Sequence, residues 1–501
     1  MSGTITLDAV KLAEAVLSAK VPNLDVTTQH ASVIVWEEDG IAYAKDGRTG
    51  RIIAKGSDHA SVLQSALNEK TGRRVVVKGT LTISRTVTVP GNTILDLSEA
   101  TLKLPDTLTA YSEILQLGGD NVEIEGGTFD GRMSANNQYC VAINCAGYSN
   151  ITVRNAKFRD ILIGVNAVGR KIRVVDCDFL YNVKYCVNNW SGTVDELLVR
   201  GCRSESGILL NIDCATMPDY SIVRNIIVSD CIHTGTAEYG IAIASKSTVP
   251  VHDLQVANCQ FLGTYTLDAF HVEMSYTHGI RVSNSVFNGQ FVIGYESYPN
   301  YNIEINNVIV QNATRPSNQG MYMCVGDTLK MSNVIVRNIA RHGIIIGGSG
   351  VAHLSNVTVL DVSQEADRTY WGMMLYARAV LSNCRVGWTG TVRPSRGLWI
   401  GGQYSELYNC IVGGDAFGLY VDADDVKVVG GDYNTGWMGS IYIAGRQRTK
   451  VVGAHVQRQP APYAGVYEAP GSDYTKIIDA TFYGVGQDVV LVGANSRNVV
   501  L

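Results

Sequence analysis

The stretch NITVRNAKFRD, at 150–160, decides the fold because it returns along the chain in altered form. It reappears as DLQVANCQFLG at 253–263 and as GIRVSNSVFNG at 279–289. Aligning the copies on Asn155 gives fifteen equivalent positions with a mean spacing of about 25 residues, a period typical of repeat proteins. These positions are Gly126, Asn155, Asp176, Gly201, Asp230, Asn258, Asn284, Asn307, Asn333, Asn356, Asn383, Asn409, Gly430, Gly453 and Asp479.

Each repeat alternates apolar and polar residues on both sides of its aligned position, as Ile151 and Val153 do before Asn155 and Phe158 does after it. Alternation with period two predicts β-strands. All fifteen aligned residues are Asn, Asp or Gly, the residue types that best tolerate a left-handed backbone. We therefore expect a one-residue corner between two short strands, and a third strand after a variable loop. Three strands per repeat predict an all-β parallel solenoid.

The residue after each corner is expected to point into the core. It is cysteine in six repeats and Ala, Ser, Gly or Val in the others. A column of thiols could bind a metal or act in redox chemistry, but free cysteine is among the most buried residue types. We interpret the column as small buried thiols, reduced and structural. Its members are Cys177, Cys202, Cys231, Cys259, Cys384 and Cys410.

Composition excludes several classes of protein. The chain has 501 residues, of which 46% are hydrophobic and 17% are charged, so it is expected to be globular. The net charge of −5 and the lack of a polybasic run argue against nucleic-acid binding. The sequence offers no run of about 18 apolar residues for a membrane span and no secretory signal at its start. No cofactor and no metal site is expected.

Two further stretches resemble a known group of proteins. They resemble parts of the pectate-lyase-like right-handed parallel β-helix superfamily. The cap helix and first strand of that superfamily resemble residues 56–84, GSDHASVLQSALNEKTGRRVVVKGTLTIS. An early coil of the superfamily resembles residues 123–132, EIEGGTFDGR. That superfamily includes polysaccharide lyases, glycosidases and viral tailspikes. The resemblance implies a right-handed, three-sheet parallel β-helix of about 15 coils. The stretch at 46–68 is most similar to archaeal and archaeal-virus β-helix proteins.

The N-terminal part of the chain does not repeat. An amphipathic helix is predicted at 7–19 and three short antiparallel strands at 32–56. We divide the chain into a head or attachment segment at 1–55, a capping helix at 56–72 and a β-helix at 73–501. The head resembles the attachment region of a viral tailspike, where it would contact other virion proteins, but it could equally be a plain cap.

The third strand of successive coils carries a row of residues that we expect on the outer face. This apolar and aromatic ladder offers either a platform for sugar rings or a subunit interface, in which aromatic residues are enriched. The two alternatives stay open for Trp399, Tyr420 and Tyr442, whereas an interface is favoured for the aliphatic members. The predicted ladder is Tyr322, Ile345, Met374, Trp399, Tyr420, Tyr442 and Tyr467.

Long loops at 360–372 and 387–397 precede this strand in two adjacent coils, and long loops on a rigid scaffold often carry function. Their carboxylates, Glu365 and Asp367, suit a glycosidase acid and base. Their basic and aromatic residues suit binding of acidic sugars, although solvated surface ion pairs would explain them as well. The predicted binding residues in these loops are Arg368, Trp388, Arg393 and Arg396.

A second candidate for catalysis is the strand LDAFHVEM at 267–274. Phe270, Val272 and Met274 are expected to point inward, which places His271 and Glu273 on the same outer face as the ladder. A His and a Glu two residues apart can share a proton and act as general acid and base. A polar column is expected to continue from there toward the N-terminus through Asp213, Asn211, Asn188, Asn166 and Asn144.

Two functions from different classes fit these features. The first is a tailspike-like or adhesin-like homotrimer on a virion surface that binds a cell-surface polysaccharide and could also cleave it. The second is a free polysaccharide lyase or glycoside hydrolase. The head segment and the missing signal peptide favour the first.

Overall fold

The computed structural model describes residues 31–69, 74–106, 112–136, 140–273, 276–294, 300–316, 318–362, 370–389, 396–435, 439–458, 464–484 and 487–499. Short parallel strands follow one another around a single axis in three ladders. The first ladder precedes the corner, the second follows it, and the third closes each coil.

The first ladder is entered through Arg74–Thr82 and Thr93–Lys103, and its remaining strands are Val122–Glu125, Ser149–Arg154, Gly169–Val175, Val194–Arg200, Val223–Ser229, Val251–Ala257, His278–Asn288, Tyr301–Gln311, Thr328–Ser332, Val351–Ser355, Arg378–Ser382, Glu406–Tyr408, Lys427–Val429, Lys450–Val452, Lys476–Ile478 and Arg497–Val499. The second ladder consists of Thr128–Asp130, Lys157–Arg159, Asp178–Phe179, Arg203–Ser206, Ile232–Ala237, Gln260–Phe261, Thr264–Tyr265, Ile335–Arg337, Thr358–Leu360, Arg385–Gly387, Ile411–Gly414, Asp432–Thr435, His455–Arg458 and Thr481–Tyr483. The third ladder consists of Val87–Val89, Ser112–Leu117, Cys140–Asn144, Ile161–Asn166, Val183–Asn189, Ile208–Asp213, Ile241–Ala244, Asp268–Glu273, Gln290–Ile293, Met321–Cys324, Ile344–Gly347, Trp371–Leu375, Arg396–Ile400, Phe417–Val421, Gly439–Ile443, Ala464–Glu468 and Gln487–Val490.

The corners confirm the repeat. Every one of the fifteen aligned residues has a positive φ, for example 57° at Asn155 and 56° at Asn258. Their side chains also stack along the axis, since Asn284 Nδ2 donates to Asn258 Oδ1 over 3.2 Å and Asn307 Nδ2 donates to Asn284 Oδ1 over 3.1 Å. The stack shifts at Asn333, whose amide donates instead to Asn306 Oδ1 over 3.4 Å. The result is a right-handed parallel β-helix of about 14 turns, as the sequence predicted.

The corner is so tight that the first and second ladders join into one hydrogen-bonded sheet. In two coils the strand runs through the corner without a break, at His278–Asn288 and Tyr301–Gln311. The third ladder forms a separate sheet, and its outer face is set apart from the other two.

One apolar core runs the length of the axis, from Val33 to Ile477. Phe129, Phe158 and Phe179 stack in it at centroid distances of 5.2 and 4.8 Å. The six cysteines that follow corners are all buried and free, which confirms the predicted column. Burial raises the pKa of Cys145, another thiol in this core, to about 12.

The predicted antiparallel strands are present at Val33–Glu38, Ile41–Asp46 and Ile52–Gly56. The first of them also pairs in parallel with Arg74–Thr82, so this meander continues the solenoid sheet. A helix at His59–Asn68, capped by the Asp58 carboxylate, packs its apolar side onto the same core. Met133–Asn136 is a short helix and Cys214–Thr216 a 3₁₀ turn. The helix predicted at 7–19 lies outside the described residues. No helix in the described ranges combines the length and apolarity that crossing a membrane requires.

Candidate functional site

One column of side chains runs along the outer face of the third ladder, as the sequence predicted, except that Asp213 lies in the neighbouring row that contains Glu273. The pairing register places its members directly above one another from coil to coil, about 4.8 Å apart. In chain order the column is Gln116, Asn144, Asn166, Asn188, Asn211, Ala242, His271, Val292, Tyr322, Ile345, Met374, Trp399, Tyr420, Tyr442 and Tyr467.

The N-terminal half of this column consists of amides. Asn166 Nδ2 donates to Asn144 Oδ1 over 3.2 Å, and Asn211 Nδ2 donates to Asn188 Oδ1 over 2.7 Å. The side chains of Asn166 and Asn188 are buried under neighbouring side chains. This half therefore consists of two hydrogen-bonded amide pairs in register, and between the pairs the buried Asn166 Oδ1 and Asn188 Nδ2 have no hydrogen-bond partner among the described residues.

The middle of the column holds a group of three titratable side chains. His271 Nδ1 lies 2.5 Å from Asp268 Oδ2, and His271 Nε2 lies 3.2 Å from Glu273 Oε2. The ring of Tyr239 lies 4.8 Å from the imidazole and helps to bury it. The sequence predicted His271 and Glu273 but not Asp268. Asp268 lies at the start of the strand, where alternation gives no orientation.

The electrostatics of the group favour the protonated form of His271. Burial alone lowers the pKa of His271, but the hydrogen bonds and charges of Asp268 and Glu273 outweigh burial and raise the pKa above its ordinary value. A carboxylate oxygen lies beside each ring nitrogen, an arrangement that suits an imidazole protonated on both nitrogens. The side chain of Glu273 is 42% exposed, whereas those of His271 and Asp268 are 5% and 8% exposed. A bound molecule would therefore meet the Glu273 carboxylate, with the charge of His271 behind it.

The C-terminal half of the column is aromatic. The rings of Tyr420 and Tyr442 stack at 5.1 Å and those of Tyr442 and Tyr467 at 5.3 Å. Trp399 meets Tyr376 edge to face at 4.4 Å. In such a stack the face of each ring is covered by its neighbour, so the tyrosines present ring edges and hydroxyl groups to the solvent rather than faces.

A second outward column beside the first was missed by the sequence reasoning. Trp371, Arg396 and Phe417 lie directly above one another. The Arg396 guanidinium lies 5.3 Å from the Trp371 ring and 5.9 Å from the Phe417 ring, as in a cation–π contact. Gly372 and Met373 both face inward, and this breaks the alternation, which would otherwise have placed Trp371 inside with Met373 and Leu375.

The other predicted site residues are only partly brought together. Trp388 packs over Gly413, next to the strand of Arg396. Glu365, Asp367, Arg368 and Arg393 lie outside the described residues. Five rows separate His271 from Trp399, which is about 24 Å at the spacing of parallel strands. The acid–base group and the aromatic rows are therefore two regions of one face.

Histidines also meet outside this face. His252, His278 and Tyr301 stack on the first ladder at 5.1 and 4.6 Å. Within the described ranges, no three His, Cys, Asp or Glu side chains are grouped as metal ligands would be.

Comparison with known proteins identifies the architecture. No protein-family model and no curated protein matches the chain. Several solved structures match it in fold. The chain has the parallel β-helix fold. Its structural neighbours are phage tailspikes and β-helix enzymes that act on polysaccharides, which confirms the predicted fold resemblance. The likeness to archaeal viruses stays a prediction.

Three of these neighbours illustrate the range. The N-terminal fragment of bacteriophage phi29 gene product 12 is 12% identical, with 87% of this chain and 90% of that chain covered and a TM-score of 0.42. A mutant tailspike protein of E. coli bacteriophage HK620, in complex with a pentasaccharide, is 12% identical, with 88% and 76% covered and a TM-score of 0.37. A GH87 α-1,3-glucanase from Streptomyces thermodiastaticus is 10% identical, with 87% and 66% covered and a TM-score of 0.32. These likenesses concern the fold and carry no argument about activity.

Proposed function

We propose that the protein binds a polysaccharide chain laid along the outer face of the third ladder. The observation that carries this proposal is the continuous register of the column from Gln116 to Tyr467, which carries amides at one end, an acid–base group and aliphatic side chains in the middle, and aromatic rings at the other end. A glycan is a linear polymer of hydroxylated rings, and it needs a linear surface with repeated hydrogen-bonding groups. A side-chain amide can donate a hydrogen bond to a sugar hydroxyl and can also accept one from it. Tyrosine combines an apolar ring edge with a hydroxyl group.

The aromatic rows favour a glycan groove over a subunit interface. Trp371 and Phe417 are only 6% and 7% exposed within the single chain, because they pack against each other and against Tyr420. An interface core draws its stability from apolar area that remains exposed in the free subunit. These two rings offer little of it, whereas the Tyr420, Tyr442 and Tyr467 edges stay accessible at the surface.

A second candidate function is chemistry on the bound glycan. It is favoured by the group of Asp268, His271 and Glu273 at the middle of the column, with one carboxylate exposed beside a buried imidazole. The Glu273 carboxylate lies 3.2 Å from His271 Nε2 and faces the solvent, so it is placed to accept a proton from water or from a sugar hydroxyl. Polysaccharide cleavage, by a tailspike or by a free hydrolase or lyase, would use such a base.

Binding is tested by screening the protein against an array of bacterial and archaeal surface polysaccharides and titrating the strongest hit. We expect Tyr442→Phe, which keeps the stack and removes one hydroxyl, to weaken binding several-fold, and Trp399→Ala to weaken it further. Tyr483→Phe changes an exposed tyrosine on the second ladder and serves as the matched control. Equal affinity in all three variants would contradict the proposal. Loss of oligomer mass in Trp399→Ala, with binding kept, would support the interface instead.

Cleavage is tested separately with Glu273→Gln. Incubation of the hit polysaccharide with the unaltered protein should release reducing ends or products absorbing at 235 nm. Glu273→Gln should bind the polysaccharide and release none. If neither protein yields product, the candidate chemistry fails while the binding proposal stands.

We also propose that the protein sits on a virion surface as a homotrimer packed along the solenoid axis, attached through residues 1–55. The support is the non-repeating head that precedes the solenoid. A sedimentation mass near the 54.2 kDa of one chain at micromolar concentration would contradict the trimer.

A further inference from the structure

A second column of left-handed residues runs along the first ladder, five positions before each corner. Eight consecutive coils have it, with φ between 52° and 73° throughout and, for example, 59° at Asn150 and 56° at Asn225. Six of the eight residues are Asn, Asp or Gly, the types that adopt this backbone with least strain. The column is Asn121, Asn150, Lys171, Glu196, Asn225, Asp253, Gly279 and Asn302.

Lys171 and Glu196 are the two exceptions, with φ of 54° and 62°. Neither side chain relieves the strain by bonding to its own backbone in the way that Asn and Asp do. They also interrupt an amide stack in which Asn150 Nδ2 donates to Asn121 Oδ1 over 3.0 Å. Backbone strain retained at two adjacent positions points to a role for the side chains themselves.

The two coils with these exceptions line a cavity of about 350 Å³ on the outer face of the first ladder. This volume lies within the range of small-molecule sites. Arg173, Leu198, Ile227 and Gln255 form its floor, since they are register neighbours in four successive strands. The cavity therefore has a cationic end at Lys171 and Arg173, an apolar middle, and the Gln255 amide with the Asp253 carboxylate at the far end.

Two cations and two carboxylates line the cavity, and they are separated along it: Lys171 and Arg173 form one end, and Asp253 lies three coils away at the other. Glu196 lies one coil from Lys171, but among the described residues no carboxylate lies within ion-pair distance of Lys171 or Arg173, whereas the nearby Arg224 is paired with Asp195 over 2.9 Å. The cationic end of the cavity is therefore the place for an anionic group. Asn225, Gln255 and the Glu196 carboxylate offer hydrogen bonds to hydroxyls, and Leu198 and Ile227 offer an apolar surface.

We propose that this cavity binds a carboxylate-bearing sugar residue, of the uronic acid type. Lys171 and Arg173 take the carboxylate, the apolar face of the sugar ring lies on Leu198 and Ile227, and the polar side chains take its hydroxyls. The site lies on a different ladder from the proposed polysaccharide groove, so it is a separate binding site and either proposal can fail without the other.

The test uses the full chain and three probes in ligand-observed NMR and calorimetry: methyl glucuronide, methyl glucoside as the neutral counterpart, and acetate as the bare anion. We expect methyl glucuronide to bind more tightly than the other two. Lys171→Asn and Arg173→Gln should each weaken it about tenfold or more, the loss expected for a charged hydrogen bond. Lys450→Asn, which removes an exposed lysine of the same ladder, should leave its affinity unchanged.

The other outcomes overturn the proposal. Equal binding of glucuronide and glucoside, or no binding of either, would exclude a carboxylate site. If acetate bound as tightly as methyl glucuronide, the cavity would be an anion site that does not recognise the sugar ring. A thermal melt provides the second readout. Lys171→Asn should raise the Tm, because asparagine suits the left-handed backbone, and a lower Tm would make Lys171 a structural residue instead.

Discussion

Replacing Asp268 by Asn removes the carboxylate that holds the buried His271 imidazolium. Both side chains are more than nine-tenths buried and their atoms lie 2.5 Å apart, so solvent screens the pair little. A hydrogen bond between charged groups contributes about 1.5–3 kcal/mol net, and one between neutral groups about 0.5–1.5 kcal/mol. We therefore expect Asp268→Asn to lower the free energy of unfolding by about 2 kcal/mol where both groups are charged, and by about 1 kcal/mol where His271 is neutral.

The sign of the pH dependence follows from the raised pKa of His271. A raised pKa means that the stabilisation is fully present below the ordinary imidazole value of about 6.5 and is lost as the pH rises through the folded-state pKa. The difference between unaltered protein and variant should shrink at pH 9.

The assay pairs two measurements. NMR of the His271 Cε1–H resonance reports the protonation state directly, and urea unfolding at pH 5.5 and 9 reports stability. Asp425→Asn, which breaks an exposed pair with Arg448, is the control and should show a small, pH-independent effect. Titration of His271 at or below the ordinary imidazole value in the unaltered protein would refute the reasoning, as would a stability loss that does not vary with pH.

Three further predictions concern the solenoid. Asn284→Ala should lower the free energy of unfolding by about 2 kcal/mol, because alanine resists a φ of 49° and cannot join the amide stack, while Asn284→Gly should cost less in urea unfolding. Glu468→Ala should lower the free energy of unfolding, measured in urea, by about 3 kcal/mol. The reason is that the buried carboxylate accepts hydrogen bonds from two hydroxyl groups and from the backbone N–H groups of Val492 and Gly493. Burial alone raises the pKa of Glu468, but these hydrogen bonds, the Gly493 N–H first among them, outweigh burial and lower the pKa, so the contribution should be present above about pH 4.5 and vanish as the pH falls. Cys145, whose pKa is raised to about 12, should resist iodoacetamide in the native protein at pH 8, and rapid alkylation there would mean that the coil opens.

The sequence predicted the corners because the requirement at each is local. Asn, Asp and Gly adopt the left-handed backbone with the least conformational strain, so the residue type alone identified the fifteen corners, such as the one at Asn155. The outer register of the third ladder followed from alternation alone, and it placed His271 and Trp399 in one column as predicted.

What could not be predicted depends on breaks in those local rules. The strand at Trp371–Leu375 turns two successive residues inward, so the alternation that fits Met373 and Leu375 would have placed Trp371 in the core instead of on the outer face. The second left-handed column was hidden because Lys171 and Glu196 depart from the residue types that mark such a position. Asp268 reaches His271 across a register shift between Asp268 and Phe270 within their strand, an irregularity that strict alternation does not predict.

The central claim is that a polysaccharide lies along the outer face of the third ladder, and hydroxyl-radical footprinting with and without the strongest array hit tests it most directly. We predict protection of Trp399, Tyr420 and Tyr442 in the presence of the polysaccharide, while Tyr483 on the second ladder is oxidised to the same extent in both samples. Protection confined to the first or second ladder, with the tyrosines of the third ladder oxidised as in the free protein, would contradict the account.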